Sequence, residues 1–455
     1  MPAPLSRTLA EFASALSFEH LPARAVEAVR IGMADTVGVM LSGVDMPVSR
    51  HALATIGTRG PNQEARLQFG RERASVADAT LVNAVTTSSV VFDDVAFAGC
   101  HTSTVLMPAL LAEGERIGAS GRAVIAAYAA GYEPWARLSE RDPDSYSGKG
   151  WHATACFGAV AVSLALANLR GFNAATTLRA LGIAASMSGG ITASFDTDVG
   201  PFQIGRAAAG GVLAARLAEA GMSAPVDALE RPGRGMMAAL SPKGAVDLDT
   251  PIGDFGKAWR LETVGINVKQ YPFGNMAQRA IDGVLDLVEA HDIRPADVER
   301  IELLISDAQY AVISKSPSVI NFVPSHSVPL AVAAAIIERG VTFAALGEPF
   351  YSRPDVQALM RRVETVADSA IAADTQPNLG FSGGVRIHLA GGRVVEAPSV
   401  DYARGHWTRP MSEEELWRKF ASCAQAGKRD AAGVRSLFES LIRLDTVETV
   451  AGLDA

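Results

Sequence analysis

The sequence is poor in cysteine, in aromatic residues and in long runs of large apolar side chains. Among 455 residues there are three cysteines, Cys100, Cys156 and Cys423. An odd count at wide spacing excludes a disulfide framework and the paired-cysteine patterns of structural zinc, and it suits a reducing, cytoplasmic setting. Aromatics make up 6% of the chain, too few for an all-β sandwich, which draws on aromatic and β-branched residues. Excess charge is modest: 41 basic against 49 acidic residues leave a net charge of −8. No basic face is implied, so nucleic acid is not an expected partner. The opening MPAPLSRTLAEFASAL lacks a basic region followed by an apolar one, so no secretory signal is expected. The longest stretch without charge or histidine, Ala153 to Leu169, spans 17 residues built largely of Ala, Gly, Ser and Thr. That is short and weakly apolar for a bilayer span, so a buried helix is expected there and no membrane partner. P-loop, H-E-x-x-H, G-x-S-x-G and strand-linked dinucleotide patterns are missing as well. The histidines show none of the close paired spacing of common metal motifs. Neither a metal nor a nicotinamide cofactor is expected.

What is present points to helices. Hydrophobic residues reach 48% and charged residues 20%, the balance of a globular protein large enough for a substantial core, with two domains the simplest division. Apolar residues recur at helical spacing over Ala23 to Leu41, Val76 to Val91, Leu106 to Ile117, Arg122 to Tyr132, Cys156 to Leu169, Ala174 to Ser186 and Arg206 to Ala220. Gly43, Gly118, Gly171 and Gly221 stand where left-handed C-terminal caps are expected. The texture changes near Lys257 to Lys269. Beyond it come a helix over Gln278 to His291, a strand over Val298 to Ser306 and a second helix over Val328 to Arg339. Two alternating runs, Gly384 to Leu389 and Arg393 to Ala397, flank Ala390-Gly391-Gly392 as a hairpin signal. Ser412-Glu413-Glu414-Glu415 opens a last helical stretch as a capping box. The expected architecture is mainly α: an all-α domain over residues 1–266, completed by C-terminal helices over 405–455, and a smaller α+β lid domain over 267–404.

Four segments set polar residues among apolar or Gly-rich neighbours. The first, Phe92 to Ser103, holds Asp93, Asp94 and His101 between two helices, where loops on a rigid scaffold collect chemistry. The second is Gly150-Trp151-His152-Ala153-Thr154, with a histidine at a helix start, where the dipole favours its neutral form. The third, Gly200 to Ala208 with Gln203 and Arg206, opens a helix of small residues, either as packing or as backbone N–H donors for a carboxylate. The fourth, Val268 to Gln278, places Lys269 beside a Tyr271-Pro272 turn with Asn275 and Gln278 following. A lysine there would clamp a carboxylate or stabilise an enolate.

Taken in order, these segments resemble the MmgE/PrpD family, which includes 2-methylcitrate dehydratase, cis-aconitate decarboxylase and iminodisuccinate epimerase. The resemblance continues to Arg409-Pro410-Met411-Ser412 and covers nearly the whole chain. It implies a large helical domain with a smaller lid, a homodimer, no obligatory metal and an active site between the domains. Catalytic residues carried over by it are His101, His152, Lys269 and Asp93. Asp94, Gln203, Tyr271, Asn275 and Gln278 are assigned to substrate binding. The chain also departs from the pattern. Val91 and Val95 replace an acid and a threonine of the first segment, and His101 is followed by Thr102 instead of proline. Gly200 and Gln203 stand where a lysine and a histidine are common, and Gly274 and Gln278 where histidines follow the turn.

The resulting expectation is a cofactor-independent lyase, dehydratase-like, acting on a small hydroxy-carboxylate by proton abstraction beside a carboxylate or carbonyl. Histidine titrates nearest neutral pH, and His101 is the principal proton carrier. Epimerisation or decarboxylation would use the same groups. A non-catalytic metabolite-binding homologue is the reading from another class, motivated by the lost ionisable positions.

Overall fold

The computed structural model describes residues 4–56, 62–307, 310, 322–371 and 384–454. It is 57% helical with only small sheets, a mainly α protein. The chain divides into two units, one of residues 1–266 with 412–455, the other of residues 267–411. The segment 405–411 thus joins the second unit and not the C-terminal helices: Val268 N–H donates to the Gly405 carbonyl at 2.9 Å, and Trp407 N–H donates to Asn267 Oδ1 at 2.9 Å.

In the first unit the Ala153–Leu169 helix is buried along nearly its whole length. A helix apolar on every side satisfies its side chains only when surrounded by other elements. Its neighbours include the Thr102–Ile117, Gly121–Ser139, Ala174–Ala185 and Val199–Glu219 helices. The abundance of small residues follows from this crowding. At Gly211, for instance, an added Cβ would lie 2.5 Å from Val162 Cβ, closer than carbon atoms tolerate. Gly43 shows the same constraint in place of the expected left-handed cap. Its φ is −86°, and a Cβ there would lie 2.1 Å from the Thr86 carbonyl oxygen. Gly118, Gly171 and Gly221 do take positive φ.

Two helices run past interior prolines, one of them beyond the point where the expected Arg122 to Tyr132 helix stops. The Thr102–Ile117 helix contains Pro108, and the Gly121–Ser139 helix continues through Pro134. An interior proline costs ~3 kcal/mol. Beyond Pro134 the side chains of Trp135 and Leu138 are each 1% exposed, and burying each such group returns about 1.5–3 kcal/mol. Tertiary burial therefore outweighs the local penalty.

The second unit has a four-stranded sheet in the order Val363–Ala367, Val298–Ile305, Val385–Leu389, Arg393–Ala397. The first pair is parallel and the others antiparallel. The hairpin expected at Gly391-Gly392 forms, with both glycines at positive φ. The short Val363–Ala367 strand carries no strong apolar alternation and was not anticipated. Ile301, Leu303, Ile305, Val385, Ile387 and Val395 share one core with Ile281, Val284 and Val288 of the Asn275–His291 helix and with the Val328–Glu338 helix.

Candidate active site

The loop that leads to His101 is held from below. Phe97 packs edge-on against Tyr132 and Trp135, with ring centroids 5.1 and 5.8 Å away. Cys100 is buried, and its N–H donates to the Phe97 carbonyl at 3.0 Å. At the start of the loop the Phe92 carbonyl accepts from Lys419 Nζ at 2.9 Å. That lysine, on the Glu413–Ala426 helix, also forms a buried ion pair with Asp35, and its ammonium lies 3.9 Å from the centroid of the Phe92 ring. Nothing in the local sequence marks Lys419 as part of the loop's support, because its partners lie hundreds of positions away.

His101 is the N-cap residue of the Thr102–Ile117 helix, and His152 is the N-cap residue of the Ala153–Leu169 helix. His101 N–H donates to Thr154 Oγ1 at 3.1 Å, which ties the two helix starts together. Nδ1 of His101 lies 2.9 Å from Oδ2 of Asp93, without the in-line geometry of a full hydrogen bond. The same carboxylate oxygen accepts from Thr104 Oγ1 at 2.5 Å. The His101 side chain is 24% exposed while that of Asp93 is 1% exposed. A solvent-reachable imidazole backed by a buried carboxylate is the arrangement that orients a general acid or base.

His152 differs. Its ring is buried, stands edge-on to Phe195 at 4.8 Å, and its Nδ1 has no hydrogen-bond partner among the described residues. Burial first, and then the neighbouring His101, push its pKa down to about 3, against the opposing pull of Asp93. His152 is therefore a neutral imidazole at physiological pH, suited to donating or accepting a hydrogen bond and weak as a proton acceptor. Cys100 and Cys156 are buried nearby, with thiols pushed up to about 12 by burial. Thiolate nucleophiles are not available at neutral pH.

Asp94 and Gln203 are both held by other groups of this unit. Asp94 is fully buried, and Ser103 N–H approaches its Oδ1 at 3.4 Å. Burial, and then the charge of Asp35, raise its pKa well above the usual carboxylate range. Its carboxylate lies in the core: adjacent residues of the loop send their carboxylates to different surroundings. Gln203 accepts from Ile191 N–H at 2.5 Å through Oε1 and donates from Nε2 to the Ile191 carbonyl at 3.2 Å. The Gly190 carbonyl in turn accepts from His152 N–H at 3.0 Å. Gln203 thus pins the loop that backs His152 through both ends of its amide.

In the second unit the Tyr271–Phe273 turn closes with Phe273 N–H donating to the Tyr271 carbonyl at 2.7 Å, the three-residue turn that a central proline favours. Gln278 fastens it. Its Oε1 accepts from the N–H groups of Gln270 and Tyr271 at 3.1 Å, and its Nε2 donates to the carbonyls of Tyr271 and Phe273 at 3.0 and 2.8 Å. Tyr271 donates to Asp282 Oδ1 at 2.7 Å, and burial raises its pKa. Gln278 and Tyr271 thus hold the turn in place. Lys269, Asn275 and Gln278 line a small cleft together with Arg279, Tyr402, Arg404 and His406. The last four were passed over at the sequence level. Among the described residues no group of three or more His, Cys, Asp or Glu side chains gathers to hold a metal.

Residues 7–249 match the MmgE/PrpD N-terminal domain, and residues 271–441 match the MmgE/PrpD C-terminal domain. The chain belongs to the MmgE/PrpD family. It is 27% identical over 388 residues to cis-aconitate decarboxylase of Mus musculus, covering 81% of this chain and 76% of the relative. It is 26% identical to the Homo sapiens cis-aconitate decarboxylase, covering 90% and 85%. With that of Aspergillus terreus it is 22% identical, covering 98% and 94%. Within this family frame the departures acquire structural detail. Val91 has φ +55°, a conformation that Asn and Asp tolerate better than a β-branched residue. Gly274 is the N-cap of the Asn275–His291 helix, and its N–H donates to the Ser325 carbonyl at 2.7 Å. Among the described residues, no helix is long and apolar enough to cross a membrane.

Proposed function

We propose that this protein is a cofactor-independent lyase acting on a small carboxylate, with His101 moving the proton. The observation that carries this reading is the contrast between the two N-cap histidines. His101 is partly exposed and backed by Asp93 at 2.9 Å, whereas His152 is buried and kept neutral. One imidazole is equipped to exchange a proton with substrate carbon or leaving group, and the other to hydrogen-bond a carboxylate or carbonyl oxygen in neutral form. The two helix N-termini, joined through Thr154, add favourable dipoles for an anion.

The relatives are named for decarboxylation, which favours loss of carbon dioxide over loss of water as the bond-breaking step here. In that reaction the C–C bond breaks, its electron pair passes into an enolate, and His101 delivers the proton to carbon. In dehydration the same residue removes a proton, and a hydroxyl leaves. Homodimerisation belongs to the same reading. It is supported by Ile191, Phe195, Val199 and Phe202, large apolar side chains exposed by 43–50% along one short stretch.

The test is turnover of cis-aconitate and of a panel of hydroxy-carboxylates by the purified full chain, in D2O and with a chelator. Carbon dioxide release with deuterium in the product, insensitive to chelation and lost in His101→Ala, is expected. Failure of every panel member to react or to exchange a C–H proton would overturn the reading. Light scattering at micromolar protein should give a dimer mass, and a monomer mass would refute the assembly.

A further inference from the structure

Three hydroxyl side chains follow His101 in the chain, Thr102, Ser103 and Thr104, and all three residues are fully buried. The first two turn to one partner: Thr102 Oγ1 and Ser103 Oγ lie 3.3 and 3.0 Å from the Tyr128 hydroxyl. Burial raises the pKa of that phenol, so it stays neutral at physiological pH. Thr104 takes a different direction. His101 is the N-cap and Thr104 the third residue of the Thr102–Ile117 helix, and side chains three positions apart on a helix share a face. Both reach back to the loop that carries Asp93. Thr104 Oγ1 donates to Asp93 Oδ2 at 2.5 Å, and His101 Nδ1 lies 2.9 Å from the same oxygen.

That oxygen serves two neighbours at once. A hydroxyl donor takes up part of the negative charge that the oxygen would otherwise turn toward a protonated imidazole. The donation weakens the hold of Asp93 on a proton at His101 and leaves the imidazole readier to release it. The Asp93 side chain is 1% exposed, so solvent does little to dilute this sharing. The other titratable groups around the pair are His152 on the Ala153–Leu169 helix, Asp94 next to Asp93, and the buried thiols of Cys100 and Cys156. Asp35 of the Ala23–Ser42 helix, paired with Lys419, acts in turn on Asp94. This set is the same in wild type and in a Thr104 variant, so a difference between them reports the hydroxyl.

We propose that Thr104 is a positioning residue for the proton carrier: its hydroxyl fixes the shared Asp93 oxygen and sets how strongly His101 retains its proton. Thr104, itself fully buried, acts through Asp93. The inference rests on the reading of His101 as the residue that moves the proton, but its readout does not require turnover.

The experiment is an NMR pH titration of the full chain carrying 13C-labelled histidine, with the His101 signal identified by its loss in His101→Gln. Thr104→Val keeps the shape of the side chain and removes the donor. It should raise the His101 titration midpoint by roughly half to one pH unit, the equivalent of one neutral hydrogen bond. Thr104→Ser, which keeps the hydroxyl, should return the midpoint to its wild-type value. In an Asp93→Asn background, Thr104→Val should leave the midpoint unmoved. Where turnover occurs, the limb of the pH–rate profile set by His101 should move with the midpoint. Thermal melts report folding, and Thr104→Ala removes the same donor should the valine variant not fold. An unmoved or lowered midpoint in the folded variant would overturn the proposal. So would an equal shift in the Asp93→Asn background, or failure of both variants to fold. A raised midpoint in a protein that turns nothing over would uphold the tuning and reject the lyase reading. An unmoved midpoint with turnover lost in His101→Ala would do the reverse.

Discussion

Acidification should destabilise this protein through His152, by an amount that a single substitution isolates. The buried ring has a pKa of about 3 in the folded chain, against about 6.5 for an unperturbed histidine. Between these values the unfolded state binds the proton and the folded state does not, so stability rises with pH across the window and is lost as pH falls below the unfolded value. Integrating the linkage from pH 7 to pH 4.5 gives a loss of about 2–3 kcal/mol from this one group. Other groups oppose it. Glu133 is raised to about 6 by burial, so folding takes up its proton, and over the same interval it returns about 1–2 kcal/mol. Asp94, also raised, acts in the same direction as Glu133, while His406 acts with His152. The wild-type profile alone is therefore a poor measure. The useful quantity is the difference between wild type and His152→Gln in denaturant-derived stability at pH 7 and at pH 4.5. The variant, which cannot titrate, should lose about 2–3 kcal/mol less than the wild type on acidification. Parallel losses, agreeing within about 0.5 kcal/mol, would refute the claim that burial holds His152 neutral and would return it to contention as a proton carrier.

His101→Ala should lower turnover by roughly 10²–10⁴ while leaving the fold intact; a folded variant with near-wild-type kcat would transfer the role to His152. Lys419→Met should cost about 3–5 kcal/mol, because it strands the buried Asp35 carboxylate. Adding Asp35→Asn should recover part of that loss in a double-mutant cycle, and strict additivity in denaturation would show the pair to be uncoupled. Val91→Asn should raise stability by about 1 kcal/mol by relieving the β-branched side chain at φ +55°; an unchanged or lower denaturation midpoint would argue that the Val91 side chain contributes more than its backbone strain costs.

Much of this protein is written in local sequence. The uncharged small-residue run from Ala153 to Leu169 becomes a helix buried on all sides, because no other surroundings suit such a surface. Ser412 and Glu415 form their capping box, and the Gly391-Gly392 pair turns the hairpin, since both depend on residues a few positions apart. The order of the polar segments was enough to indicate the family. Which polar groups face a ligand was a different matter. Asp93 and Asp94 are neighbours of one type, yet one backs His101 and the other lies in the core. Gln203 and Gln278 look like ligands in a motif and serve as backbone clamps. Lys419 reaches the Phe92 carbonyl across 327 positions of chain. Arg279 and His406, far apart in sequence, line one cleft. Helix periodicity and turn chemistry act over a few residues and can be read along the chain. The partner that satisfies a buried donor or acceptor is whichever group lies within about 3 Å, and only the folded chain decides which group that is.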